Sequence, residues 1–299
     1  MAISESQLDT WSHQGSITQS STTYATVKRA LEAGDTKYAA KSYEVYLQGS
    51  YCNDTNIYAE SDVDVVIQLN STFHYDLSAL SASEAASFEA AYPAAAGYRY
   101  SDFKADVLTA LQKSFGVGDV SGGKKAIKVK ANGGRRNADV VVTTDFRRYS
   151  AFANSWSAQA ERGICLFASG GERIVNYPKQ HSQQCTIKHK ATNGWYKPMV
   201  RILKNMRGKL VEKGSIKSGA APSYFIEGLM FNVPNDRFGT SYSATFVAAM
   251  NWLLQARRND LVCANGQFYL VRDNSSSCWP CQDCDRFLNA VADLWNNWN

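Results

Sequence analysis

The spacing of apolar positions changes character along the chain. Residues 17–33, "ITQSSTTYATVKRALEA", keep a helical period and predict a helix that ends at Gly34. Leu47 onward reads as a short strand and a glycine turn, followed by a second strand from about Val63 to Leu69. Helices are predicted over 77–92 and 102–114. Between 124 and 149 the period falls to two. Alternation in "KAIKVKA", a Gly-Gly turn at 133 and 134, and "ADVVVTT" predict a strand pair. Residues 171–181, "GERIVNYPKQH", read as a loop punctuated by Pro178. Beyond about residue 185 helical spacing dominates, with helices over 195–213, 222–232 and 243–257, a small strand or hairpin near 261–272, and a last helix from about Asp285. A mixed α/β first half therefore precedes a helical second half, with a boundary near residue 180 and no repeat or low-complexity tract.

Composition sets limits on this picture. At 299 residues, 44% hydrophobic and 20% charged, the chain has material for one large core or two closely packed ones. A net charge of +5 permits a polyanionic ligand without demanding nucleic acid. The polar start, "MAISESQLDTWS", lacks the basic and apolar regions of a signal peptide. The most apolar window, "ATFVAAMNWLL" at 244–254, is too short to cross a bilayer. Seven cysteines, an odd number, fit a reducing compartment better than a disulfide framework, so a soluble cytoplasmic protein is expected.

The chemistry is concentrated in "YLQGSYCNDTNIYAESDVDVVIQL", residues 46–69. Aspartate is depleted in strands, yet Asp62 and Asp64 open a β-branched run and, two apart, point to the same face. Asp139 opens a second such run in "ADVVV" and is placed to join them from a neighbouring strand. Three carboxylates on one sheet face repel unless cations neutralise them, and an oxygen-only set suits the hard ion Mg²⁺. Twelve residues before Asp62 lies Ser50, in "QGSY". Gly49 lets the backbone turn sharply and approach a phosphate, and the Ser50 hydroxyl and following amides donate to it. A phosphate cradle beside a metal site is the apparatus of two-metal phosphoryl or nucleotidyl transfer.

The run "GSYCNDTNIYAESDVDVVIQL" resembles the active-site segment of the DNA polymerase β-like nucleotidyltransferases, and more closely that of the bacterial cGAS/DncV-like nucleotidyltransferases (CD-NTases). The resemblance extends to "LDTWSHQGSITQS", "NYPKQHSQQCTIKHKATNGWYKPMVRILKNMR" and "APSYFIEGLMFNVPNDRF". It implies an α+β fold: a polymerase β-like core, with a mixed sheet flanked by helices and a long N-terminal spine helix, packed on a C-terminal helical lobe. Residues 1–180 would form the catalytic core and 181–299 the helical lobe completing the nucleotide pocket. By the same resemblance Asp62, Asp64 and Asp139 would be catalytic and bind two Mg²⁺ ions, with Mn²⁺ as a substitute. Asp139 would also help activate the attacking ribose hydroxyl, and Ser50 would hold the donor triphosphate. The products of such enzymes are cyclic di- or trinucleotide messengers of anti-phage defence, sensed by a downstream effector protein. A linear oligoadenylate, a nucleotidylated tRNA or protein, and a silent nucleic-acid-binding scaffold stay open as alternatives.

In the second half, "GWYKPMVRILKNMRGKL" has an apolar stripe at Trp195, Met199, Ile202, Met206 and Leu210 and a basic face at Lys197, Arg201 and Lys204. That face reads as solvated, except that Lys204 matches a family lysine that reaches the triphosphate. In "PSYFIEGL", Ser223 occupies a helix N-cap position after Pro222, and Tyr224 is suited to stacking on a nucleobase. The Ser-Tyr pair matches the family's donor-nucleotide pocket. Lys124, Lys125, Lys128 and Lys130 read as a solvated hairpin, whereas Arg147 or Arg148 is a candidate contact for the acceptor nucleotide. Cys278, Cys281 and Cys284 have CxxCxxC spacing but lack the second zinc knuckle, so free thiols are preferred. His13, His74, His181 and His189 show no metal or nucleophile spacing and are expected on the surface or in the core. Nucleoside triphosphates are the expected substrates. A nucleic acid activator, a membrane partner and modification of the C-terminal "LWNNWN" are not expected, and a monomer is.

Overall fold

The computed structural model describes residues 3–15, 17–58, 62–275 and 277–298. In chain order its first elements are α1 (Glu5–Ser12), α2 (Thr18–Leu31), β1 (Tyr43–Leu47), α3 (Gly49–Cys52), β2 (Val63–Asp76), α4 (Ala82–Ala91) and α5 (Tyr100–Phe115). Next come β3 (Val120–Gly122), β4 (Ile127–Val129), β5 (Ala138–Ala151), β6 (Gln159–Phe167) and β7 (Arg173–Asn176). The helices α6 (Pro178–Ala191), α7 (Tyr196–Glu212), α8 (Ser223–Asn232), α9 (Tyr242–Gln255) and α10 (Cys281–Asn296) complete it. These elements form two compact units: Thr18–Leu47 with Ser61–Pro178, and Met1–Ile17 with Gln48–Glu60 and Lys179–Asn299.

The first unit is built on β2 and β5, which run parallel with Val63 against Ala138 and Asp64 against Asp139. β1 lies antiparallel along β2. β4 and then β3 extend the sheet from the first half of β5, while β6 and then β7 extend it from the second half. A central parallel pair is covered on both faces and so reads as a nearly continuous apolar run. Val63, Val65, Val66, Ile67, Leu69, Val140 and Val142 are all buried. Helices α2 and α5 pack on each other and on this pair. At the far end, α4 starts with a capping box in which Ser81 and Glu84 satisfy each other's backbone amides, and Glu84 also accepts from the Phe152 amide. Phe88 of α4 joins Tyr149 and Phe152 in a small separate core.

The second unit buries the stripe of α7 (Met199, Ile202, Met206, Leu210) against α8, α9 and α10. Leu8 and Trp11 of α1 enter the same core, and the Glu5 carboxylate accepts from the first amides of α9, at Tyr242 and Ser243. An acidic group at those amides complements both the unpaired donors and the helix dipole. In the same unit Trp298 meets Trp11 edge to face, at 5.3 Å.

Several sequence expectations need correction. Leu47 ends β1 instead of starting a strand. Residues 171–181 are not a loop, because Arg173–Asn176 pair with β6 and Pro178 is the first residue of α6, where a missing amide costs nothing. Among the described residues, 261–272 contribute isolated bridges, Val262 to Tyr269 and Val271 to Trp279, instead of a hairpin ladder. The last helix begins earlier, at Cys281, after Pro280.

Gly163 gives a direct check on the β6–β7 edge. A Cβ there meets the Asn176 carbonyl oxygen at 2.6 Å and the Tyr177 ring at 2.9 Å. Overpacking of this kind costs about 1–3 kcal/mol. Gly163→Ala should therefore lower Tm by several degrees in calorimetry, and an unchanged Tm would show that the β7 backbone yields.

Candidate functional site

The aspartates are positioned by the parallel pair. Asp64 of β2 and Asp139 of β5 are register partners, so their backbones lie about 4.8 Å apart and their side chains share a face. Asp62, one pleat before Asp64, is exposed, while Asp64 and Asp139 are partly buried and Val63 and Val65 fill the interior. Burial raises the Asp139 carboxyl pKa. The charge of Lys128 opposes that shift and the charge of Asp62 reinforces it. Lys128 is the β4 register partner of Asp139, so it faces the carboxylates instead of belonging to a purely solvated hairpin. This donor set has the chemistry of a hard divalent cation site: it offers carboxylate oxygens only, and the charge of Asp62 reaches Asp139. Arg147 does not join it. It lies eight residues, roughly 27 Å, further along β5, where it pairs with Asp145 at 2.8 Å and covers the Phe73 ring at 4.0 Å.

The segment carrying Gly49 and Ser50 belongs to the helical unit. Gly49 has φ of 70°, a conformation glycine supplies without strain. The turn is closed by its own backbone: the Asn53 amide donates to the Gly49 carbonyl at 3.1 Å and the Thr55 amide to the Ser50 carbonyl at 2.9 Å. The segment is then tied down from several sides. Gln14 donates to Asn56 at 2.7 Å, Lys197 pairs with Asp54 at 2.8 Å, and Arg201 donates to the carbonyls of Ser12 and Asp54. Lys197 is 7% exposed. The basic face expected to be solvated is thus largely absorbed in holding this loop.

Lys204 is fully buried, with Nζ donating to the Thr55 carbonyl at 2.9 Å. Ser223 is the first residue of α8 and Pro222 the cap, one position earlier than the sequence suggested. Tyr224 is partly buried. Its ring stacks on His181 at 4.5 Å and its hydroxyl accepts from Asn265. The structure therefore brings Ser50, Lys204, Ser223 and Tyr224 into one unit and the three aspartates into the other. Cys284 is buried, and the Cys278 thiol donates to the Tyr269 carbonyl at 3.1 Å.

Sequence reasoning missed Glu227 and the part played by His181. Glu227 is 2% exposed and accepts three hydrogen bonds: from Asn53 at 2.9 Å, from Thr55, and from His181 Nε2 at 2.7 Å. The available signal was a lone acid in the apolar helix "SYFIEGLMF". Burial opposes the charge on each partner and is outweighed in both. Glu227 is held below its usual range by the hydrogen bond and charge of His181, with Lys204 and Thr55 adding to them. His181 is raised to about 10 by its contacts with Cys185 and Glu227. A raised imidazolium stabilises fully below its unfolded pKa, about 6.5, and less as pH climbs towards its folded value. The stability gap between wild type and His181→Gln should thus be largest near pH 6 and narrow towards pH 9. A gap of constant size in denaturant titrations would contradict it.

Residues 183–296 match the cGAS/DncV-like nucleotidyltransferase C-terminal helical domain. The cyclic UMP-AMP synthase of Rhodothermus marinus is 39% identical over 100% of this chain and 99% of its own length. The cyclic nucleotide synthase CdnE01 of Staphylococcus haemolyticus is 36% identical, with 100% of each chain covered. The solved structure of the Rhodothermus marinus CdnE c-UMP-AMP synthase with Apcpp and Upnpp matches with a TM-score of 0.89 at 38% identity, over 99% of this chain and 98% of that one. With similarity running through both units, the chain belongs to the cGAS/DncV-like nucleotidyltransferases.

Proposed function

We propose that this nucleotidyltransferase joins nucleoside triphosphates into a cyclic di- or trinucleotide messenger of CBASS-type anti-phage defence, releasing pyrophosphate at each bond, for a downstream effector to sense. The observation that carries the reading is the full-length similarity to a relative named cyclic UMP-AMP synthase. Among the described residues no helix is long and apolar enough to cross a membrane; the cytoplasm is the proposed site of action.

In this reading Asp62, Asp64 and Asp139 hold two Mg²⁺ ions. When bound, such ions lower the pKa of the attacking ribose hydroxyl and offset charge on the leaving pyrophosphate. Asp139, half-buried and facing Lys128, is assigned to orienting the attacking hydroxyl. Gly49 and Ser50 bind the donor triphosphate through a turn closed by the Asn53 and Thr55 amides, and the Ser50 hydroxyl is assigned to donate to the phosphate. Ser223 adds a second hydroxyl at the positive end of α8, and Tyr224 is assigned to the nucleobase. Lys204 serves the same triphosphate from beneath the turn, through the Thr55 carbonyl it holds.

Incubation with all four nucleoside triphosphates and Mg²⁺ or Mn²⁺, followed by phosphatase and mass spectrometry, tests this. A phosphatase-resistant product without free ends is expected, reduced at least about 100-fold by Asp64→Asn. Phosphatase-trimmed linear oligomers, or an undiminished product from the variant, would overturn it. A second expectation concerns stability. Asp139→Asn removes a half-buried like charge from the sheet face, so its Tm without metal should equal or exceed that of wild type. A loss of several degrees would mark the carboxylate as a structural group instead.

A further inference from the structure

A fully buried carboxylate in a helix core is costly unless every lone pair and its charge are met. Glu227, 2% exposed, is the most deeply buried acid among the described residues, and the residues meeting it are not random neighbours. Two of its three donors, Asn53 and Thr55, come from the loop that carries Gly49 and Ser50. The third, His181, comes from α6 and sits 3% exposed. Thr55 is held at three points: its hydroxyl by Glu227, its carbonyl by Lys204, and its amide by the Ser50 carbonyl. Any movement of Glu227 is therefore passed through Thr55 to Ser50. On α8, Glu227 lies four residues after Ser223 and so below it on the same helix face.

Glu227, His181 and Cys185 also have ligand atoms within 4.8 Å of one another, which raises the question of a metal. The geometry argues against one. Two ligands on a tetrahedral zinc stand about 3.3 Å apart for bond lengths near 2.0–2.1 Å. His181 Nε2 and Glu227 Oε2 are 2.7 Å apart, a charge-assisted hydrogen bond. The Cys185 thiol is in turn 3.2 Å from the Tyr196 hydroxyl, which donates to the Glu227 main-chain carbonyl. His181 Nδ1 is buried without a hydrogen-bond partner, so the imidazole is fixed through Nε2 and through its stacking on Tyr224.

We propose that Glu227, hydrogen-bonded to the buried His181, is a positioning residue that fixes the Ser50 turn against the Ser223 end of α8. The inference rests on the reading of Ser50 as a triphosphate contact. It predicts that the two serines are held as a preset pair before nucleotide arrives, so that triphosphate binding need not order the loop.

The test uses Thr55→Val, which removes the loop's hydroxyl bond while leaving the Glu227–His181 pair intact, alongside Thr55→Ser, Glu227→Gln and Ser50→Ala. Hydrogen exchange of the peptide spanning residues 48–56 reports the turn directly. Exchange should accelerate at least tenfold in Thr55→Val and Glu227→Gln and return to the wild-type rate in Thr55→Ser. Unchanged exchange in Thr55→Val, or no rescue by serine, overturns the positioning role whatever the kinetics show. Steady-state kinetics then ask whether the effect reaches substrate. KM for the nucleoside triphosphate should rise about tenfold in Thr55→Val, and Ser50→Ala/Thr55→Val should be no worse than Ser50→Ala alone. Equal penalties with and without Ser50 would also overturn the inference. An unaltered KM in Ser50→Ala, with the exchange results intact, would instead sink the triphosphate reading and leave the positioning role standing. Zinc retained by the purified protein in elemental analysis, and lost in His181→Gln, would replace the hydrogen-bonded pair with a metal site.

Discussion

Parallel pairing of β2 with β5 places Asp64 directly beside Asp139, and the chemistry assigned to this protein depends on that register. A shift of one residue in either strand would send every side chain of that strand to the opposite face. The shift is resisted because Val63, Val65, Val140 and Val142 are buried on the interior side of the same segments. Where the two strands open, these buried valines thus fix the side on which Asp64 and Asp139 lie. At Asp139 burial is what keeps the carboxyl pKa raised; the attraction of Lys128 opposes it and exceeds the repulsion from Asp62.

The helical unit solves the opposite problem. There Glu227 is buried against His181 and Lys204, and the buried Lys197 reaches the exposed Asp54. Exposed ion pairs contribute little to stability, but buried ones that lose a partner are strongly penalised, so such networks specify one geometry more than they stabilise it. A loop that must hold a hydroxyl in place for a triphosphate is where that property is useful. The aspartate face carries an excess of negative charge suited to cations, and the loop carries donors suited to phosphate.

Much of this was legible in the sequence. "DVDVVI" and "ADVVV" stand out because acids interrupt β-branched runs, and the Gly-Ser turn stands out by its place before them. The register of Asp64 with Asp139 was not legible, since helices and short strands intervene and pairing is settled by packing. Lys197 and Arg201 were misread as a solvated face because their partners lie 143 and 147 or more residues earlier in the chain. Glu227 gave a signal, an acid among apolar residues, whose meaning depends on contacts 172 and 174 residues away. β6 was missed because its first residues are exposed and its buried ones run consecutively instead of alternating.

Counting Mn²⁺ ions bound to the protein by electron paramagnetic resonance, with a saturating non-hydrolysable nucleoside triphosphate, tests the central claim most directly. The account predicts two ions per wild-type chain, with binding lost in Asp64→Asn while the fold is retained. Undiminished Mn²⁺ binding by that variant would contradict the assignment of the β2–β5 carboxylates as the metal site.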